Sequence, residues 1–213
     1  MLRYLTAQEL AQHPRLERTM FEDRATQFAT RLGWDVTVED GQERDAYDAM
    51  NPLYVIWQAP DGSHGGSMRV MPTTAPCMVN DHFAHLTGGP IMSPLIWEST
   101  RFCLSPRLGA KAGAVSAAIM LGGCEIGMNY GLRHAVGVFD GRMVRIYRAL
   151  GWAPEIVGET GTGRERIAVG LWEFDAATRY RLADRAGVSP ALSELWFRRA
   201  LDMAAAPGLA KAG

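Results

Sequence analysis

The sequence predicts an α/β fold in which helices pack on a mixed sheet, and three observations carry that expectation. Short β-branched and aromatic runs alternate with helical periodicities along the whole chain. No segment recurs at the roughly 20–50-residue spacing of repeat proteins. Apolar residues make up 47% of the 213 and charged residues 21%, enough to bury a real core. At this length one domain spanning 1–213 is expected, with an Ala- and Gly-rich tail at about 205–213 read as frayed.

Met1 to Leu5 reads as a strand, and Ala7 to Leu32 as helix with a break near Pro14. Pro52 to Gln58 and Gly66 to Met71 are strand-like runs joined by PDGSHG, which gives an antiparallel hairpin. Leu95 to Leu104 is a further strand. After the loop SPRLGAKAG, a helix runs from Ala114 to Tyr130 and Gly131 stops it. His134 to Phe139 is a strand and Gly141 to Leu150 a short helix. Glu155 to Val157 and Ile167 to Phe174 form a second hairpin, and helices at Ala176 to Ala186 and Pro190 to Ala204 close the chain.

Lys and Arg number 22 against 23 Asp and Glu, so a net charge of -1 offers no bulk field for nucleic acid or an anionic membrane. Only Lys111 and Lys211 are lysines; the other basic residues are arginine, the better fork for carboxylates and phosphates. The longest uncharged stretch, His82 to Trp97, is broken by His, Pro and Gly and makes no membrane span. Gln8, Glu9, Gln12 and His13 stand where an export signal needs an apolar block. Cys77, Cys103 and Cys124 are odd in number and lack paired spacing, which speaks against a disulfide framework. A cytoplasmic protein is expected.

No Walker loop or G-x-S-x-G occurs, and GETGTGRER has the wrong last residue for a dinucleotide fingerprint. Cys77, His82 and His85 lack a fourth ligand, so no metal is expected. What stands out is charge inside apolar pattern. Arg24 interrupts the helical row Leu16, Met20, Phe28, Leu32; Arg69 lies between Met68 and Val70; Glu98 and Arg101 lie inside LIWESTRFCL; Asp45 and Asp48 precede a strand. Buried singly, each is costly, so they must pair with one another or with a charged ligand, and the pattern leaves both readings open. The nearby rings of Phe28 and Trp34 suit a cationic ligand, though both also suit a core. Arg107 to Gly113, RLGAKAG, precedes a helix whose first-turn N–H groups can hold a phosphate or a pantetheine amide.

Four blocks carrying these charges resemble the acyl-homoserine lactone synthases, the autoinducer synthase family of bacterial quorum sensing: FEDRATQFATRLGWDV, DAYDAMNPLYVI, GSMRVMPTT and WESTRF, in the family's order from Phe21 to Phe102. A weaker match continues through Gly151 and Trp152. The resemblance implies an acetyltransferase-like, GNAT-type fold with a mainly antiparallel twisted sheet. It implies two substrates, S-adenosylmethionine and an acyl thioester on acyl carrier protein or coenzyme A, and no permanently bound cofactor. The methionyl amine would attack the thioester, and the carboxylate would then displace methylthioadenosine to close the lactone.

Carried onto these positions, the resemblance makes Glu98 the general base and Arg101 the residue ordering the carboxylates. Asp45 and Asp48 would meet the positive end of S-adenosylmethionine, Arg24 or Arg69 its carboxylate, and Phe28 with Trp34 its adenosyl part. Phe102, Cys103, Gly137 and Val138 would line the acyl pocket, and Gly137, where many members carry Thr, speaks against a 3-oxo acyl group and for a locally wider pocket that suits a branched or aromatic one. Arg107, Gly109 and Gly113, with the exposed-face candidates Arg142, Arg145 and Arg148, would meet pantetheine, phosphates or an acidic carrier protein; a solvated helix face is the plainer reading of the last three. An N-acetyltransferase and a non-catalytic acyl- or adenosyl-binding protein are the rivals.

Side chains of a strand alternate, so Glu98 and Arg101, three apart, would face opposite sides of a regular strand. A shared site therefore requires a bulge between Trp97 and Phe102, with the sheet splayed beside it.

Overall fold

A computed structural model of the chain describes residues 1–205. The frayed tail expected beyond that point lies outside the described residues, apart from its first position.

Strand β1 (Leu2–Thr6) leads through helices α1 (Ala7–Leu10) and α2 (Pro14–Ala25) to a π-helical turn, Thr26–Arg31. Thr6 caps α1 in a capping box with Glu9, and Pro14 starts α2, where its missing N–H costs nothing. A small hairpin of β2 (Val38–Glu39) and β3 (Gln42–Glu43) follows. Strands β4 (Leu53–Gln58), β5 (His64–Pro72) and β6 (Ile96–Leu104) come next, with the short helix α3 (Met78–His82) between β5 and β6. Helix α4 (Ala112–Asn129) connects β6 to β7 (His134–Asp140), then α5 (Met143–Leu150), β8 (Glu155–Thr160), β9 (Ile167–Glu173), α6 (Ala176–Ala186) and α7 (Pro190–Ala205) complete the order. The sequence pattern missed β2, β3 and α3, each too short to show a period.

Seven strands form one sheet in the order β1-β4-β5-β6-β7-β9-β8. Every pairing is antiparallel except β6 with β7. That parallel pair needs a long crossover, which α4 supplies. Val115 through Gly127 are all buried, so α4 is a core helix, and its glycines let the sheet approach: a Cβ on Gly122 would stand 2.5 Å from Val55 Cγ1, and one on Gly123 2.5 Å from Met68 Cε. Helix α2 covers the opposite face of β5 and β6.

Two features of this sheet position the site. Opposite Ser67 and Arg69 of β5, the partners on β6 jump from Cys103 to Thr100, and Arg101 has a left-handed φ of 53°. An extra residue is thus inserted at Arg101, the irregularity that a shared site requires. Furthermore, β6 and β7 pair only from Ile96/His134 to Glu98/Val136, although both strands run on. Beyond Glu98 they part, leaving the facing backbone edges without each other as partners.

Candidate active site in the split sheet

Asp45 and Asp48 owe their spacing to local structure. Asp45 caps the 3-10 turn Ala46–Met50, its Oδ1 accepting from the N–H groups of Tyr47 (3.0 Å) and Asp48 (3.2 Å), while Asp48 Oδ2 accepts from Asp45 N (2.9 Å). The reciprocal box fixes both carboxylates toward the guanidinium groups of α2 and β5.

Arg24 Nε donates to Glu43 Oε2 (2.6 Å), and its two terminal nitrogens grip Asp48, both at 2.9 Å. Arg69 donates to Thr100 Oγ1 (3.1 Å), to both oxygens of Asp45 and to Asp48 Oδ1 (2.9 Å). Arg101 reaches the same cluster, binding Glu43 Oε1 through Nε (3.1 Å) and Asp45 Oδ2 through a terminal nitrogen (2.8 Å). Tyr54 adds its hydroxyl to Asp48 at 2.6 Å. Three arginines thereby face three carboxylates. Burial opposes ionisation of Asp48, but Arg24 and Arg69 outweigh it and hold this carboxyl well below the usual range.

This arrangement corrects two expectations. All three donor nitrogens of Arg24 and of Arg69 are engaged, and both residues are 1% exposed, so neither is open to a ligand carboxylate. They build the floor of the site. Asp48 is also buried, with both oxygens engaged, whereas the side chain of Asp45 keeps 19% of its surface. Glu43 escaped the sequence reading. It sits in a polar segment, and its burial depends on the β2–β3 hairpin turning it under α2.

Glu98 lies on the same side of the sheet. Its carboxylate accepts from the N–H groups of Met78 (3.0 Å) and Val79 at the start of α3. Burial raises its pKa to about 7, against the opposing pull of those two N–H groups and of Arg69. Arg101 NH1 comes within 4.0 Å of Met78 Sδ, so the bulge brings Arg101 and Glu98 to one helix end.

Between the parted strands opens a cavity of about 340 Å³. Phe28 and Trp34 stand on its wall, stacked with centroids 5.2 Å apart and planes at 15°. Phe28 is buried, Trp34 is at the rim, and the Arg101 guanidinium lies 5.3 Å from the Phe28 centroid. Ser99, Thr100, Arg101, Phe102, Gly137 and Val138 line the split itself. The deeper wall is apolar, formed by Met68, Val70, Trp97, Met120, Ile126 and Trp172 among others. A Cβ on Gly137 would press on the Ser99 carbonyl at 3.0 Å and Trp172 at 3.2 Å, so glycine widens the cavity where the strands part.

Cys103 does not join this wall. One residue beyond Phe102 it points to the α2 side, fully buried near Asp23 and Arg24, where burial lifts its thiol to about 12. Arg107 is also displaced from its expected task. It forks onto Asp23 at 3.0 and 2.9 Å and reaches the His64 carbonyl, although half of its side chain is exposed. Asp23 in turn holds His64 Nδ1 (2.7 Å), whose Nε2 meets Ser67 Oγ (3.0 Å). These three have the order of a hydrolase triad but are 2%, 1% and 2% exposed, and none lines the cavity. Gly109 (φ 52°) lies in the turn leading into α4 and Gly113 in the first turn of α4, both with open space around them. Arg142, Arg145 and Arg148 are all exposed; Arg142 pairs with Asp140 (2.8 Å) at the cavity mouth. Cys77, His82 and His85 form no metal cluster among the described residues, nor is any helix there long and apolar enough to cross a membrane.

Comparison with known proteins gives this geometry a family. The autoinducer synthase family model matches residues 7–182. An acyl-homoserine-lactone synthase of Rhizobium etli is 39% identical over 203 residues, covering 90% of this chain and 96% of that protein. The solved structure of the AHL synthase LasI superposes with a TM-score of 0.73 at 27% identity, covering 89% of this chain and 97% of that one. A protein assigned as an N-acetyltransferase, from Lactobacillus plantarum, covers 82% of this chain and 99% of its own with a TM-score of 0.54; at 12% identity it shares the fold alone. The extent of the family match, together with the relative at 39% identity, places this chain in the autoinducer synthase family.

Proposed function

We propose that the protein is an acyltransferase that makes an N-acyl-homoserine lactone from S-adenosylmethionine and an acyl thioester. One observation supports this above all: the bulge at Arg101 turns it to the side of β6 that carries Glu98, and Arg101 lines an apolar cavity that opens where β6 and β7 part. A thioester's acyl chain fits the apolar wall, and its carbonyl falls between strand edges that do not pair with each other beyond Glu98, where backbone N–H groups would stabilise an oxyanion. Trp34, stacked on the buried Phe28 at the rim, offers a π face to the adenosyl group and sulfonium, and Asp45, bound to the cavity-lining Arg101, supplies negative charge behind it.

A free α-amine has a pKa of about 8 and must lose a proton before it attacks. Glu98, with a pKa of about 7, takes that proton directly or through water. The amine nitrogen bonds to the acyl carbon, and the tetrahedral intermediate expels the thiolate, which is then protonated. The methionyl carboxylate next attacks the carbon bonded to sulfonium; that C–S bond breaks, its electrons stay on sulfur, and lactone and methylthioadenosine separate. Arg24, Arg69, Glu43 and Asp48 keep the floor rigid while charge shifts above it.

Arg142, Arg145 and Arg148 fit the acidic surface of a carrier protein or the phosphates of coenzyme A. The chain works as one domain in the cytoplasm, where its three buried cysteines stay free. Incubating the protein with S-adenosylmethionine and a series of acyl thioesters, with mass spectrometry of the products, tests the reading: an N-acyl-homoserine lactone supports it, and an N-acylated amine with no lactone assigns the fold to ordinary acetyl transfer.

A further inference from the structure

We propose that Asn80, together with Thr73, is a positioning residue for the reaction: the pair clasps the segment 73–95 so that α3 presents its Met78 and Val79 N–H groups to Glu98, an inference that rests on the synthase reading. That segment joins β5 to β6 and holds only short helices, so no long element fixes its course. Asn80 follows Val79 in α3 and spans the segment with one amide. Its Nδ2 donates to the carbonyls of Thr73 (3.2 Å) and Ile91 (3.0 Å), and its Oδ1 accepts from the Ile91 N–H (2.8 Å). The hydroxyl of the buried Thr73 lies 3.0 Å from the Ser93 carbonyl and 2.8 Å from that of Ile96, and accepts from the Ser93 N–H (3.2 Å). Ile96 opens β6 two residues before Glu98, so the clasp closes a ring of bonds from the base through α3 and back to its own strand.

Packing alone does not achieve this. Cys77 and Val79 are buried in one cluster with Val136 of β7 and Val169 of β9, which keeps the segment on the sheet, but apolar contact is non-directional. Aiming two N–H groups at one carboxylate takes directional bonds, and Asn80 supplies them one residue away. The titratable and charged groups around Glu98 are Arg69 of β5, Tyr47 of the 3-10 turn, Cys77 just before α3 and Asp81 within it. Asn80 and Thr73 carry no charge, so replacing them removes none of these and acts on Glu98 through the two N–H groups. Those groups favour the ionised carboxylate, and losing them raises the pH at which Glu98 gives up its proton.

The test follows kcat/KM for methylthioadenosine release against pH in the wild type, Asn80→Ala, Thr73→Val and Thr73→Ser, alongside hydrogen exchange at the Met78 and Val79 amides. In Asn80→Ala and Thr73→Val the rising limb should move up by about one pH unit, so that activity falls about tenfold below the limb and recovers above it. Thr73→Ser, which keeps the hydroxyl, should hold the wild-type limb. The two amides should exchange faster in Asn80→Ala and Thr73→Val while those of β5 and β6 keep their protection. An unmoved limb in either folded variant overturns the inference, as does a loss of equal size at every pH, the mark of a merely structural role. Thr73→Val decides alone if Asn80→Ala does not fold; if neither folds, the clasp is a requirement of folding and the inference falls. Absence of methylthioadenosine from the wild type at every pH overturns the synthase reading and the clasp's part in it, whereas the exchange data still report whether the clasp holds α3.

Discussion

Glu98 and Asp48 are both buried carboxyls, yet their surroundings push them in opposite directions. Burial lifts Glu98 to about 7, while Arg24 and Arg69 overcome burial at Asp48 and keep it ionised. Glu98 is thus poised to exchange a proton near neutrality and Asp48 is not. With Glu98 as the proposed base, kcat/KM should rise with pH through about 7. Glu98→Gln should lower kcat by about 10²–10⁴ and remove that limb, with folding retained. Near-wild-type turnover in a folded variant contradicts the assignment. The stability sign runs the other way: the folded protein holds this proton more tightly than the unfolded chain. Its contribution is present below the ordinary glutamate range and is lost as pH rises through about 7. Asp48→Asn leaves Arg24 and Arg69 buried with less compensation, and should cost about 3–5 kcal/mol of unfolding free energy in urea titrations. A loss under about 1 kcal/mol would make the network dispensable.

Among the elements, β6 carries the most consequence. Period-two alternation was enough to require an irregularity between Glu98 and Arg101, because the two residues cannot otherwise share a face, and the left-handed φ at Arg101 supplies it. A β-branched residue is strained in that conformation and glycine is not, so Arg101→Gly and Arg101→Val should both lose activity but differ in stability. Thermal or denaturant unfolding should find the glycine variant more stable by about 1–3 kcal/mol, and equal stabilities would deny the strain. Arg24 was legible in the sequence as a charge in an apolar row and Asp48 as a carboxylate before a strand, but Arg24's second partner, Glu43, was not. Glu43 lies in a polar stretch whose burial is decided by tertiary packing of the two-residue strands β2 and β3. Cys103 was misplaced for a related reason: the bulge that turns Arg101 inward restores alternation one residue later and sends Cys103 to the α2 side.

At the scale of the whole molecule, the sheet, α4 and the split between β6 and β7 form one device: the crossover helix enforces the parallel pair, and the pair fails where the cavity opens. The alternation of strands and helices made the layered fold legible. The split was foreseeable only from the site it must hold, since no residue pattern marks where two strands stop pairing. Arg142 at the cavity mouth and the exposed Arg145 and Arg148 of α5 form a local basic surface on a chain of net charge -1. If a carrier protein docks there, reversing Arg145 and Arg148 to Glu should raise KM for an acyl carrier protein substrate several-fold and leave that for acyl-CoA nearly unchanged. Added salt should mimic the change, the screening length being about 8 Å at physiological ionic strength. Equal losses on both donors would place the effect in the fold or the pantetheine path. Amine acylation and lactone closure in this single cleft, as proposed, couple release of thiol to release of methylthioadenosine. That coupling is tested most directly by measuring thiol and methylthioadenosine released in the same reaction with S-adenosylmethionine and an acyl thioester. Equal amounts of the two are expected, and thiol release without methylthioadenosine would contradict a coupled reaction in one cleft.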